Sequence, residues 1–90
     1  AGEICQITVY GADQPGIVYR VTNTLAVQQI NIMDLQTKLV GTDDAPVYVM
    51  LLEVALPDDM TAGTVEQMLN NLKTELQVEI GVRTVTPVEL

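Results

Sequence analysis

The sequence predicts an α+β domain in which four antiparallel strands lie under two helices, both on one face. Two observations carry the prediction. Apolar residues alternate or run together in four short β-branched stretches, and they recur at three- and four-residue spacing in two others. These six segments fall in the order β-α-β-β-α-β, with the two middle strands close enough to form a hairpin. Each β-α-β crossover is right-handed by preference. The outcome is the split β-α-β, or ferredoxin-like, sandwich.

Each element has its own signature. Ile4 to Tyr10 (ICQITVY) is β-branched and bounded by Gly11, which makes it a strand. Ile17, Val21 and Leu25 recur every four residues with Val18 beside them, which is a helical stripe. Residues 31 to 40 (NIMDLQTKLV) place Ile32, Met33, Leu35 and Leu39 in a second strand. Gly41-Thr42-Asp43-Asp44-Ala45 is a turn by composition. Residues 47 to 56 (VYVMLLEVAL) give the strongest strand signal, ended by Pro57-Asp58-Asp59. Val65, Met68, Leu69, Leu72 and Leu76 mark a second amphipathic helix capped by Thr61 or Thr64. Val78 to Val85 forms the last strand, closed by Pro87. With no linker or low-complexity segment, one domain spanning residues 3–88 is expected.

The third strand is apolar in both phases. Val47, Val49, Leu51 and Ala55 lie on one side, and Tyr48, Met50, Leu52, Val54 and Leu56 on the other. Both helices cover the same face of the sheet, so the second apolar phase calls for another cover. A second copy of the domain is the simplest one.

Composition narrows the function. Ninety residues bury about 60–65% of the surface that the unfolded chain exposes, enough for one thin core. The chain is 48% hydrophobic and has no Trp or Phe, so the core is built from Val, Ile, Leu and Met. A net charge of −8, from 12 acidic and 4 basic residues, disfavours direct contact with nucleic acid or anionic lipid. A single Cys5 and no His exclude an internal disulfide, a Cys-based zinc site and the His-dependent triads. No apolar run is long enough to span a bilayer and no signal-peptide pattern is visible, so a cytoplasmic location is expected. The opening Ala1-Gly2, with no Met, is what a piece cut from a longer reading frame would show.

The stretch from Tyr10 to Val21, YGADQPGIVYRV, raises the one site candidate with chemistry in it. Pro15 fits a first helical turn, where its missing N–H is not needed. Gly16 lacks a Cβ, so a ligand or another backbone can come close. Asp13 can accept from the free N–H groups of the first turn. A plain capped helix start satisfies all of this. The functional alternative is that the N–H groups near Gly16 and Ile17, with the helix dipole, meet a carboxylate while Asp13 holds an ammonium group. A group carrying both charges is an amino acid. Asn31, which heads the second strand, can both donate and accept; it is either a second ligand contact or a residue that ends the helix. Asp34 reads as an edge or exposed-phase residue. The pairs Asp43-Asp44 and Asp58-Asp59 lack calcium-loop spacing and read as solvated turns. Cys5 faces the core and has no base to activate it. No metal, cofactor or catalytic residue is expected.

The run ITVYGADQPGIVYRVTNTLA followed by INIMDLQTK resembles an ACT domain from Ile4 to about Pro87. The D-x-P-G-I-V start of the first helix and the N-I pair opening the second strand carry the likeness. Within the family, D-L-Q-T-K and A-P-V-Y-V-M-L-L-E-V are most similar to the glycine cleavage system transcriptional repressor group, whose members resemble tandem ACT pairs. The ACT domain of formyltetrahydrofolate deformylases shares the D-Q-x-G-I-V start. The resemblance implies a regulatory, non-enzymatic domain that pairs with its own copy or a second ACT domain. It implies a small amino acid bound at that interface, glycine or serine first, through Asp13, Gly16, Ile17 and Asn31. Gly11 stands where some amino-acid-binding members carry a polar side chain, which leaves a purely structural dimerisation module as the alternative.

Overall fold

The computed structural model describes residues 2–86, and the expected strand stop at Pro87 and domain end at residue 88 lie outside them. The elements are β1 (Ile4–Ala12), α1 (Ile17–Val27), β2 (Asn31–Thr42), β3 (Ala45–Ala55), α2 (Ala62–Leu76) and β4 (Val78–Thr84). All neighbouring strands are antiparallel, in the order β2-β3-β1-β4. The domain measures 43 × 33 × 17 Å, two layers thick.

Strand alternation builds the core. Cys5, Ile7 and Val9 of β1 and Met50, Leu52 and Val54 of β3 point to the helices and are buried. Ile17, Val21 and Leu25 of α1, and Val65, Leu69, Leu72 and Leu76 of α2, close over them. Each such side chain contributes about 1.5–3 kcal/mol by leaving water. No polar or charged residue is buried among the described residues. The opposite phase of β3 faces away from the helices, as expected: Val47, Val49 and Ala55 are half-buried and Leu51 is exposed. With Tyr10 and Val40 these form an apolar patch on the open face.

β1 and β2 run past their expected ends, β3 starts two residues early, and β3 and β4 each stop one residue short. β1 continues through Gly11 to Ala12, because Gly11 pairs with both Tyr48 and Val78. The hairpin extends to Thr42 and Ala45, where the Thr42 hydroxyl accepts from the Ala45 N–H at 3.2 Å. Thr61, not Thr64, caps α2 and accepts from the Thr64 N–H at 3.3 Å. No described helix is long and apolar enough to cross a membrane.

Cys5 is fully buried, and burial with the nearby Glu3 carboxylate pushes its thiol above the ordinary range, against a lowering hydrogen bond from Thr84. The folded thiol therefore holds its proton to higher pH than the unfolded one. Its contribution is complete below the unfolded pKa of about 8.5 and declines as pH rises beyond it. In melts between pH 7 and 10, the wild-type chain should lose stability more steeply than Cys5→Ala. A thiol reagent at neutral pH should label Cys5 only as the chain unfolds.

Candidate functional site

The Asp13–Gly16 loop joins β1 to α1 at one end of the sheet. Gly16 has φ 85° and ψ 3°, the third position of a type II turn whose second position favours Pro. Pro15 and Gly16 thus form a turn ahead of the helix, and α1 starts only at Ile17. This corrects the expectation that Pro15 sits in the first helical turn. A Cβ at Gly16 would have nothing within 4 Å, so the positive φ, not crowding, calls for glycine.

The expected cap from Asp13 is absent. Gly16 is the N-cap residue, and no side chain accepts from the first turn of α1. The turn lifts the start of the helix two residues beyond Pro15, and Asp13 is left exposed behind it. The first turn carries no acidic residue. Its amides and the helix dipole are therefore uncompensated by the protein at this end.

Gln14 anchors the loop, a role the sequence reading did not assign. Its side-chain amide donates to the carbonyl of Leu76, one of the last carbonyls of α2, which lack a partner within their own helix. This bond links residues 62 apart in sequence, so no local pattern reveals it. The exposed Arg20–Glu75 ion pair joins α1 to the same end of α2.

Two open grooves flank the loop. One, of about 510 Å³, is lined by Gln14, Gly16, Ile17, Val18, Thr22 and Tyr48, with Tyr19 at its rim. The other, of about 540 Å³, lies at the sheet end between Tyr10, Asp13, Pro46, Val47, Gln77 and Glu79, with Asp44 also on its wall. Gly16 and Ile17 thus face one groove and Asp13 the other. The first offers helix amides to an anion, and the second offers carboxylates to a cation. Among the described residues no group of side chains could hold a metal ion.

Asn31 joins neither groove. It pairs with Ala55, which pairs with Ile4 at the start of β1. Asp13 follows Ala12, at the other end of that nine-residue strand. At ~3.3 Å per residue the two rows lie about 27 Å apart. One chain brings Asp13, Gly16 and Ile17 to one end of the sheet and leaves Asn31 at the other.

Gly11 has a steric explanation. A Cβ there would lie 3.0 Å from Val78 Cγ1 and 3.1 Å from the Gln77 carbonyl. The start of β4 occupies the space a polar side chain would take.

The family model described as ACT domain matches residues 3–83. The chain belongs to the ACT domain family. ACT domains are regulatory, non-catalytic modules that commonly bind small amino acids and pair with another ACT domain. A UPF0237 protein of Methanococcus maripaludis is 35% identical over 78 residues, covering 86% of this chain and 82% of its own. Among solved structures, an unknown protein from Galdieria sulphuraria is 28% identical with a TM-score of 0.83, over 93% of this chain and 50% of that one. This ACT domain thus spans half the length of the Galdieria protein. A putative glycine cleavage system transcriptional repressor shares the fold at 22% identity, with a TM-score of 0.73, over 98% of this chain and 48% of that one.

Replacing Gln14 by Ala removes one part-buried hydrogen bond and leaves the Leu76 carbonyl without it. The expected loss is about 1 kcal/mol, read in a urea melt. Hydrogen exchange should speed up at Arg20, whose N–H bonds to the Gly16 carbonyl, and at Gln77, whose N–H bonds to the Lys73 carbonyl, but not in β1 or β3.

Proposed function

We propose that this ACT domain binds a small amino acid, glycine or serine first, at the junction of two paired ACT domains. Binding favours one paired arrangement and so controls the assembly of a transcriptional or metabolic regulator. The observation that carries this reading is the separation of the site residues. Asp13 and the free amides at Gly16 and Ile17 lie at one end of the sheet and Asn31 at the other. In a two-fold pair of antiparallel domains, the Asn31 end of one chain lies beside the loop end of the other. The ligand carboxylate then meets the first-turn amides of α1. Asp13 and the partner's Asn31 hold the ammonium group. The effect on assembly equals the difference in ligand affinity between the paired arrangements.

The repressor named above supports this choice of ligand and role through its name and its length, about twice that of this chain. The Methanococcus relative is little longer than this chain, which favours pairing between copies in proteins of that size. Gly11 favours a second reading, a pairing module without ligand, because its side of the loop end has no room for a recognition side chain.

Calorimetric titration separates the two. Glycine or serine should give saturable heat at millimolar concentration, and Asp13→Ala should weaken binding about ten- to a hundredfold, the worth of one charged hydrogen bond. No heat from any amino acid with a dimer present would leave the pairing module.

A further inference from the structure

We propose that the open face of the sheet docks an extended, arginine-bearing segment of a partner protein. The guanidinium sits on the Tyr10 ring beside Glu79, and the segment's backbone crosses the bare strand at Gly81. The proposal does not depend on whether the domain binds an amino acid.

The strand register maps this face. Glu79, Tyr10, Val49 and Lys38 form one row across the four strands, and Gly81, Thr8, Leu51 and Gln36 form the next. Towards the loop end, Ala12, Val47 and Val40 continue the surface. Tyr10, Val40 and Leu51 are exposed. From Val47 to Leu51 the apolar strip runs about 13 Å along β3. It leads into the groove of about 540 Å³, where Tyr10, Ala12, Pro46 and Val47 supply the apolar lining.

Gly81 is the residue that the chain itself does not explain. A glycine inside a strand weakens it. At Gly16 and Gly41 a positive φ calls for glycine, and at Gly11 the start of β4 leaves no room for a Cβ. Neither reason holds at Gly81. Its φ is not positive, and an added Cβ would have nothing within 4 Å. The β1–β4 register runs past it without a bulge. The remaining use of a strand glycine is to let a ligand or another backbone come close. Gly81 bares the β4 backbone one row from the exposed Tyr10.

Charge selects the occupant. Asp13, Asp44 and Glu79 line the groove together with no basic residue. An arginine side chain fits such a surface. Its planar guanidinium stacks on an aromatic face and meets a carboxylate with two N–H groups, while its stem lies on apolar atoms. Tyr10 and Glu79, opposite each other on β1 and β4, supply the ring and the carboxylate. The groove is open, so a free cation there would keep most of its water, and an exposed charge pair alone is worth little. A segment that also covers the Val47–Leu51 strip adds the burial that the charge pair lacks. A second copy of this chain is a poor occupant. Of its four basic residues, Arg20 pairs with Glu75, Arg83 bonds to Gln6, Lys73 lies on α2, and Lys38 stands on this same face.

A capped seven-residue peptide tests the proposal. It carries a central arginine, a valine two residues to either side, and serine elsewhere, so that arginine and valines share one phase. In calorimetric titration of the whole chain it should bind about tenfold tighter than the same peptide with citrulline, which keeps the shape and loses the charge. That preference should shrink at high salt. Glu79→Gln should erase it. Gly81→Val should lose binding of both peptides while the melting temperature holds or rises, since the strand has room for the side chain. Asp13 also belongs to the proposed amino-acid site, so it is left unchanged. Equal affinity for the arginine and citrulline peptides, unchanged binding in a folded Gly81→Val chain, or no binding at millimolar peptide overturns the proposal. So does arginine amide binding as tightly as the peptide, which would make the groove a small-cation site.

Discussion

Burial of the helix-facing side of β1 and β3 governs the rest of the molecule. These two central strands supply Cys5, Ile7, Val9, Met50, Leu52 and Val54, all buried. With no Trp or Phe available, an aliphatic layer must be covered along its whole length by two helices. The Asp13–Gly16 loop, α1 and the turn after it therefore carry the chain back along the sheet. Their start is fixed at the end of β1 and their finish at the beginning of β2. That one requirement places the Asp13–Gly16 loop and Asn31 at opposite ends, and it makes any site containing both a property of two chains.

Covering one face also leaves two surfaces unfinished. The open face keeps an apolar centre around Tyr10, Val49 and Leu51, but its other half is polar, with Gln6, Glu53, Gln36 and Arg83. The β2 side is long, nearly neutral and unpaired. It carries two charges, Asp34 and Lys38, that form no ion pair among the described residues. The two-sided apolar third strand leaves Val47, Val49, Leu51 and Ala55 on the face that the helices do not cover.

The element order and the core were legible because hydrophobic periodicity reports burial directly. The third strand reads as apolar in both phases, and only the packing shows that Met50, Leu52 and Val54 are the inward ones. Boundaries drifted where a glycine had a structural partner: Gly11 reads as a stop but pairs on both sides within β1. Pro15-Gly16 was read as a helix start because Pro suits a first turn, whereas the φ of Gly16 places both residues in a type II turn. Gln14 was invisible because its partner, the Leu76 carbonyl, is distant in sequence. Asp13 and Asn31 flank one helix, yet the loop, α1 and the turn after it carry the chain back along the sheet and leave the two residues in rows about 27 Å apart.

The central claim is that the amino-acid site is shared between two chains, and a mixing experiment tests it most directly. Asp13→Ala and Asn31→Ala chains, each binding too weakly alone to saturate at the wild-type ligand concentration, are mixed, allowed to exchange, and titrated with the amino acid. If the site is shared, each mixed dimer regains one intact site, and an equal mixture recovers about a quarter of the wild-type binding capacity. No recovery, with exchange of subunits demonstrated, would mean that both residues act within one chain or that Asn31 takes no part.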